Sequence, residues 1–201
     1  MTLLGLDLDN TIISYDNLFH KLALEKNLIE PALRADKRII RDHIRAQGKD
    51  DEFTVLQGEA YGKRILEAEP FNGALETIKA LGESGVKMVI VSHKTKAPYK
   101  GPAYDLHESA RSWLERHGFF EQNKLGWTTE QVFFEETKRN KVARIESLGC
   151  THYVDDLEEI LLMLHSKITK IWFTSIVNSE PKNSNIIKIF KWSELNALKL
   201  H

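Results

Sequence analysis

The stretch Leu3–Thr11, LLGLDLDNT, constrains this chain more than any other. An apolar run that stops abruptly at acidic and turn-forming residues reads as a buried parallel strand. Open α/β sheets carry their chemistry at the carboxyl ends of such strands. Asp7 stands at that end and Asp9 two residues on, so in extended backbone both carboxylates project to the same side. Two close carboxylates can divide labour, one ionised as nucleophile or metal ligand, the other protonated as general acid. Taken alone, the same residues also describe an acidic turn closing a strand.

The rest of the chain decides between these readings. At 201 residues it has room for one α/β domain with a sizeable insertion, or for two small domains. Hydrophobic residues make up 42% and charged residues 28%, a balance of globular rather than disordered chains. A formal net charge of -1 argues against a dedicated nucleic-acid binder. Cys150 is the single cysteine, which excludes an internal disulfide and suits a reducing compartment. It follows Leu148-Gly149 ahead of an expected strand and reads as a small core residue. No apolar run approaches the ~18 residues of a membrane helix. The first apolar run lacks a basic flank and is broken by Asp7 and Asp9, unlike a secretory signal. The expectation is a cytoplasmic protein with neither membrane nor nucleic acid as partner.

Along the chain, the character changes at Ser14. Leu18, Phe19, Leu22 and Leu28 predict a first helix, Pro31 opens a second to about Gln47, and Asp50 or Asp51 caps a third reaching Ala68. Pro70-Phe71-Asn72-Gly73 punctuates the end of this segment. From there the pattern alternates. Helices are predicted over 74–83, 106–117, 140–148, 157–165 and 192–198, and strands over 87–91, 131–134, 152–154, 170–173 and 186–190. Such alternation predicts an α/β fold with a doubly wound parallel sheet. The expected division is a core of residues 1–13 and 71–201, with a small all-helical insertion over 14–70.

Three strand ends then carry polar chemistry: Asp7 and Asp9, Ser92, and Asp155 with Asp156. On a parallel sheet these ends share one edge. Lys141 opens the helix ahead of the last acidic pair. Together they suit phosphoryl transfer, which asks a protein mainly for positioning and charge neutralisation. An acidic cluster alone would repel a phosphate, whereas magnesium, an oxygen-seeking cation, reverses the sign of the site. Ser92 can donate to a phosphate oxygen, and Lys141 can neutralise the phosphate or the nucleophilic carboxylate.

In order and kind these residues resemble the motifs of haloacid dehalogenase-superfamily phosphatases. DxDxT is matched at Asp7–Thr11, a Ser ending an apolar strand at Val89-Ile90-Val91-Ser92, a Lys ahead of a helix at Lys141, and an acidic pair ending a strand at Tyr153-Val154-Asp155-Asp156. Lys138 is a second candidate for the third position. The resemblance implies a Rossmannoid core with a helical cap between the first two motifs, which would close over the site and choose the substrate. It implies that Asp7 attacks phosphorus and that Asp9 protonates the leaving group, with Thr11 orienting Asp9. It also implies that Ser92 and Lys141 bind the phosphoryl group. Mg2+ would be held by Asp7, the Asp9 carbonyl and Asp155 or Asp156, Asp155 being favoured as the direct ligand. On the substrate side it implies Asn10, His93 through its backbone N–H, and Lys94. Because the family's dehalogenases lack the second Asp, Asp9 favours phosphoester over carbon–halogen chemistry.

Other features weigh less. Arg34, Arg38, Arg41 and Arg45 could share a helix face that receives an anionic group, but a solvated face opposite Leu33, Ile40 and Ile44 reads more simply. The loop HKTKAPYKGPAYD after Ser92 is long for such a connection and could rim the site. No HxH or HxxxH spacing occurs, so no zinc site is inferred. The expected partner is a small phosphorylated metabolite, and the oligomeric state is not readable. A phosphotransferase or mutase would use the same residues. A phospho-signalling receiver would carry its acidic pair early rather than late, and a regulatory protein with little turnover is the remaining reading.

Overall fold

The computed structural model describes residues 2–176 and 180–198. In chain order it runs β1 (Leu3–Leu6), β2 (Ile13–Ser14), α1 (Asp16–Glu25), α2 (Lys37–Ala46), α3 (Asp50–Tyr61), β3 (Glu69–Pro70), α4 (Ala74–Glu83), β4 (Lys87–His93) and α5 (Leu106–Arg116). There follow β5 (Val132–Glu135), α6 (Lys138–Ser147), β6 (His152–Asp155), α7 (Glu158–Met163), β7 (Thr169–Phe173) and β8 (Ile186–Ile189), with a closing 3-10 turn over Trp192–Ala197. No helix among the described residues is long and apolar enough to cross a membrane.

The chain divides into two compact units. The first comprises the residues up to Ile13, Pro70–Lys94 and everything from Gly118 onward. Its centre is a six-stranded sheet in the order β5-β4-β1-β6-β7-β8. Every neighbouring pair is parallel. After β1 the chain builds outward through β4 and β5, then returns to build outward on the other side from β6. The order therefore reverses beside β1, and the crevice of such a reversal lies at the strand's carboxyl end.

β1 is short and buried from Leu4 onward because sheet neighbours and helices cover it. Helices α6 and α7 lie against the strands β4 to β7. Val91, Ile145, Tyr153, Ile160 and Trp172 form part of the apolar layer between them, and Cys150 belongs to it. Burial pushes the Cys150 thiol up to about 11.

Gly5 is required by packing. A Cβ built there would lie 2.5 Å from the ring of Tyr153, which is fully buried and donates its hydroxyl to the Val91 carbonyl. Gly5→Ala should therefore cost roughly 1–3 kcal/mol through overpacking. A thermal melt unchanged from wild type would show that the sheet absorbs the methyl.

The second unit comprises Ser14–Glu69 and Thr95–His117. Leu18, Phe19 and Leu22 of α1, Ile40 and Ile44 of α2, and Phe53 and Leu56 of α3 are among its buried positions. Phe19 stacks on Phe53 with centroids 5.6 Å apart. The unit is thus larger than the expected 14–70 insertion, because α5 and the loop before it belong to it rather than to the core. Trp113 of α5 is fully buried and donates its indole N–H to the Ala68 carbonyl at 2.7 Å. Gly58 and Gly62 let the loop close on α3, since a Cβ at either would strike Pro98 or Tyr104.

Local boundaries also differ from expectation. The second helix starts at Lys37, not Pro31, because the Asp36 side chain accepts from the N–H groups of Arg38 and Ile39. Arg34 therefore precedes the helix and does not share a face with Arg38, Arg41 and Arg45. The third helix ends at Tyr61, where Gly62 interrupts it, and Ile65–Glu67 is a separate 3-10 turn. The closing element is 3-10 throughout.

Candidate active site

All the site residues expected from the sequence fall in the first unit. Asp7 follows the last residue of β1, and its N–H donates to the Val154 carbonyl at 2.9 Å. The chain then turns tightly. The Leu8 carbonyl accepts from Ile12 and Ile13, and the Asn10 N–H reaches the Ile13 carbonyl, each at 2.9 Å. Asn10 takes a left-handed conformation, φ 62°, which asparagine tolerates better than most residues.

The neighbouring strands bring their own groups to this point. Ser92, in β4, donates its hydroxyl to Asp7 Oδ1 at 2.9 Å. Lys141, one turn into α6, donates to the same Oδ1 at 2.6 Å and to Asp155 Oδ2 at 2.6 Å. Asp155 Oδ1 accepts from the Leu157 N–H at 2.8 Å. These groups are deeply buried: Asp7 is 4% exposed, Lys141 1%, and Ser92 and Asp155 not at all. Charges so far from water persist only when paired. Lys141 supplies the pairing for both carboxylates.

The titration shifts follow from that burial. Burial raises the Asp155 carboxyl to about 7, against the downward pull of Lys141 and with the repulsion of Asp7 adding to it. Burial works against the Lys141 cation, yet the attraction of Asp155 and Asp7 holds it well above the usual lysine range. Lys141 is therefore an ammonium between the two carboxylates. Lys138, the second candidate, lies elsewhere, in an exposed pair with Glu159 at 2.5 Å.

Two further residues make contacts that the motifs did not specify. The Thr11 hydroxyl accepts from the Asp156 N–H at 3.1 Å, which ties the turn after β1 to the end of β6. The Trp192 indole N–H fixes the Thr11 carbonyl at 3.0 Å. Lys94, expected on the substrate side, is buried and pairs with Asp9 Oδ2 at 2.6 Å. No periodicity or motif marks that contact, because the two residues are remote in sequence. The His93 ring reaches the Glu136 carbonyl at 3.2 Å.

One carboxylate oxygen each from Asp7, Asp155 and Asp156 lies within 4.8 Å of the others. The donors are all oxygens on short side chains, which fits a hard divalent cation such as magnesium. The Asp9 carboxylate is outside this group, engaged by Lys94. The arrangement can therefore hold a cation beside a carboxylate whose Oδ1 takes two donors. Asp7 Oδ2 takes no hydrogen bond among the described residues.

Fold and site together define an α/β protein with an acid–lysine constellation at the switch point of a parallel sheet. The fold is similar to that of solved structures described as haloacid dehalogenase-like hydrolases. The chain matches a haloacid dehalogenase-like hydrolase from Streptococcus pneumoniae over 98% of its own length and 97% of the other, with TM-score 0.61 and 15% identity. It matches a HAD family hydrolase from Deinococcus radiodurans, solved with bound phosphate and sodium, over 98% and 94%, with TM-score 0.59 and 15% identity. A predicted phosphoglycolate phosphatase from Haemophilus somnus matches over 98% and 97%, with TM-score 0.58 and 14% identity. No family model and no curated protein matches the sequence.

Proposed function

We propose that the protein is a magnesium-dependent phosphohydrolase that cleaves a small phosphomonoester through a phosphoryl group carried on Asp7. The observation that supports this most is the convergence on Asp7 Oδ1 of the Ser92 hydroxyl and the Lys141 ammonium. Both donors hold that oxygen, and Oδ2 would be the atom that attacks.

Attack by Oδ2 on phosphorus would form the acyl phosphate and break the ester P–O bond. Asp9 would give its proton to the departing alkoxide, then take one from the water that cleaves the acyl phosphate. Ser92 and Lys141 would donate to phosphoryl oxygens. Magnesium held by Asp7, Asp155 and the Asp9 backbone carbonyl, with Asp156 beside it, would neutralise the phosphoryl charge. The fold's resemblance to hydrolases, one of them solved with phosphate, supports the same reading.

The test is phosphate release from a panel of phosphorylated metabolites and from p-nitrophenyl phosphate, with magnesium or with EDTA. Turnover that needs magnesium is expected, with EDTA abolishing it and added magnesium restoring it. An enzyme equally active in EDTA would remove the metal from the proposal. One inert toward every phosphomonoester would remove the reaction.

A further inference from the structure

Besides Lys141, the same unit buries Lys94. We infer that Lys94 is a positioning residue for Asp9, setting the direction of the carboxylate that handles the leaving-group proton. The inference rests on the phosphohydrolase reading for Asp9's chemistry and on geometry for the contact.

Both ends of the pair have anchored backbones. β4 and β5 stay in register up to His93 opposite Glu135, and the Lys94 N–H then donates to the Glu135 carbonyl at 2.9 Å. Asp9 sits in the tight turn closed by the Leu8 and Ile13 carbonyls, and it forms an isolated bridge with Ile13. With both main chains held, the 2.6 Å ion-pair contact between Lys94 Nζ and Asp9 Oδ2 ties the Asp9 side chain to the end of β4.

Burial separates this pair from an ordinary surface ion pair. The side chains are 2% and 12% exposed, and lysine is almost never found so deep without a partner. Such a contact holds its geometry where exposed pairs fluctuate. Lys141 and Thr11 make their contacts with other acidic residues. Lys141 binds Asp7 and Asp155, and the Thr11 hydroxyl binds the Asp156 N–H. The two lysines thus divide the acids, one serving the carboxylate that attacks and the other the carboxylate that moves protons. Misplacing a reacting group by about 1 Å costs roughly a hundredfold in rate, so this direction matters.

The test compares aryl phosphates that differ in their need for a proton. p-Nitrophenolate leaves unaided, whereas phenolate gains from protonation. In Lys94→Met, kcat/KM should fall about tenfold further on phenyl phosphate than on p-nitrophenyl phosphate, as for loss of a general acid. Asp9→Asn should show the same bias, and the double variant should lose no more than Asp9→Asn alone. Lys94→Arg should recover part of the loss on phenyl phosphate. Equal losses on both substrates, or losses that multiply in the double variant, would overturn the inference.

A crystal structure of Lys94→Met supplies a readout apart from turnover. A displaced Asp9 carboxylate is expected, and an unmoved one would overturn the inference whatever the kinetics. The two readings fail separately. Wild-type turnover that Asp7→Asn abolishes upholds the phosphohydrolase reading. A wild type inert to all aryl phosphates sinks that reading, and the crystal structure still decides what directs Asp9.

Discussion

Asp7→Asn is expected to lower turnover of any phosphomonoester by about four orders of magnitude or more, the scale of removing a covalent nucleophile. The amide keeps the shape of the carboxylate but cannot accept the phosphoryl group. The fold should survive. Breaking a buried ion pair costs about 3–5 kcal/mol when one charge is stranded. Here Lys141 keeps its 2.6 Å contact with Asp155, so no charge is stranded. The substitution also removes one of two crowded carboxylates, whose repulsion is part of what raises Asp155. The cost in stability should therefore fall below that range. Urea unfolding beside a phosphate-release assay checks both halves. Turnover at the wild-type rate would end the case for Asp7 as nucleophile.

Lys141→Met should do the reverse and damage stability as well as activity. It leaves Asp7 and Asp155 facing each other without the cation between them, in a site almost sealed from water. A loss of about 3–5 kcal/mol is expected, a large share of the ~5–15 kcal/mol that holds a domain folded. Lys138→Met is the matched control. Its pair with Glu159 is exposed, so its removal should cost no more than ~1 kcal/mol. Equilibrium unfolding of the two variants would thus separate the lysines. Equal effects would mean that the buried triad contributes nothing beyond a surface pair.

The contrast between these lysines shows where reading the sequence stops. Both precede the acidic pair at plausible distances, and both carry the same charge. What separates them is one turn of α6. Lys141 is buried, whereas Lys138 stands in an exposed contact with Glu159. The ends of β1, β4 and β6 were legible because apolar runs that stop at polar residues mark buried strands. Parallel strands also bring such ends to one edge without further instruction. Helix starts were less legible. Pro31 carries a valid start signal, but the Asp36 carboxylate satisfies the orphan N–H groups of a helix that begins later.

The sequence by itself determined the alternating architecture, the order of the motifs and the convergence of the strand ends at Asp7, Ser92 and Asp155. These follow from periodicity and strand direction, which are local properties of the chain. Only the tertiary structure decided that α5 joins the helical unit, that Thr11 holds Asp156, and that Lys94 holds Asp9. Each of these depends on which buried group meets which across a long span of chain. Periodicity says that a side chain is buried. It carries no information about the partner, which packing and the need to pair every buried charge settle together.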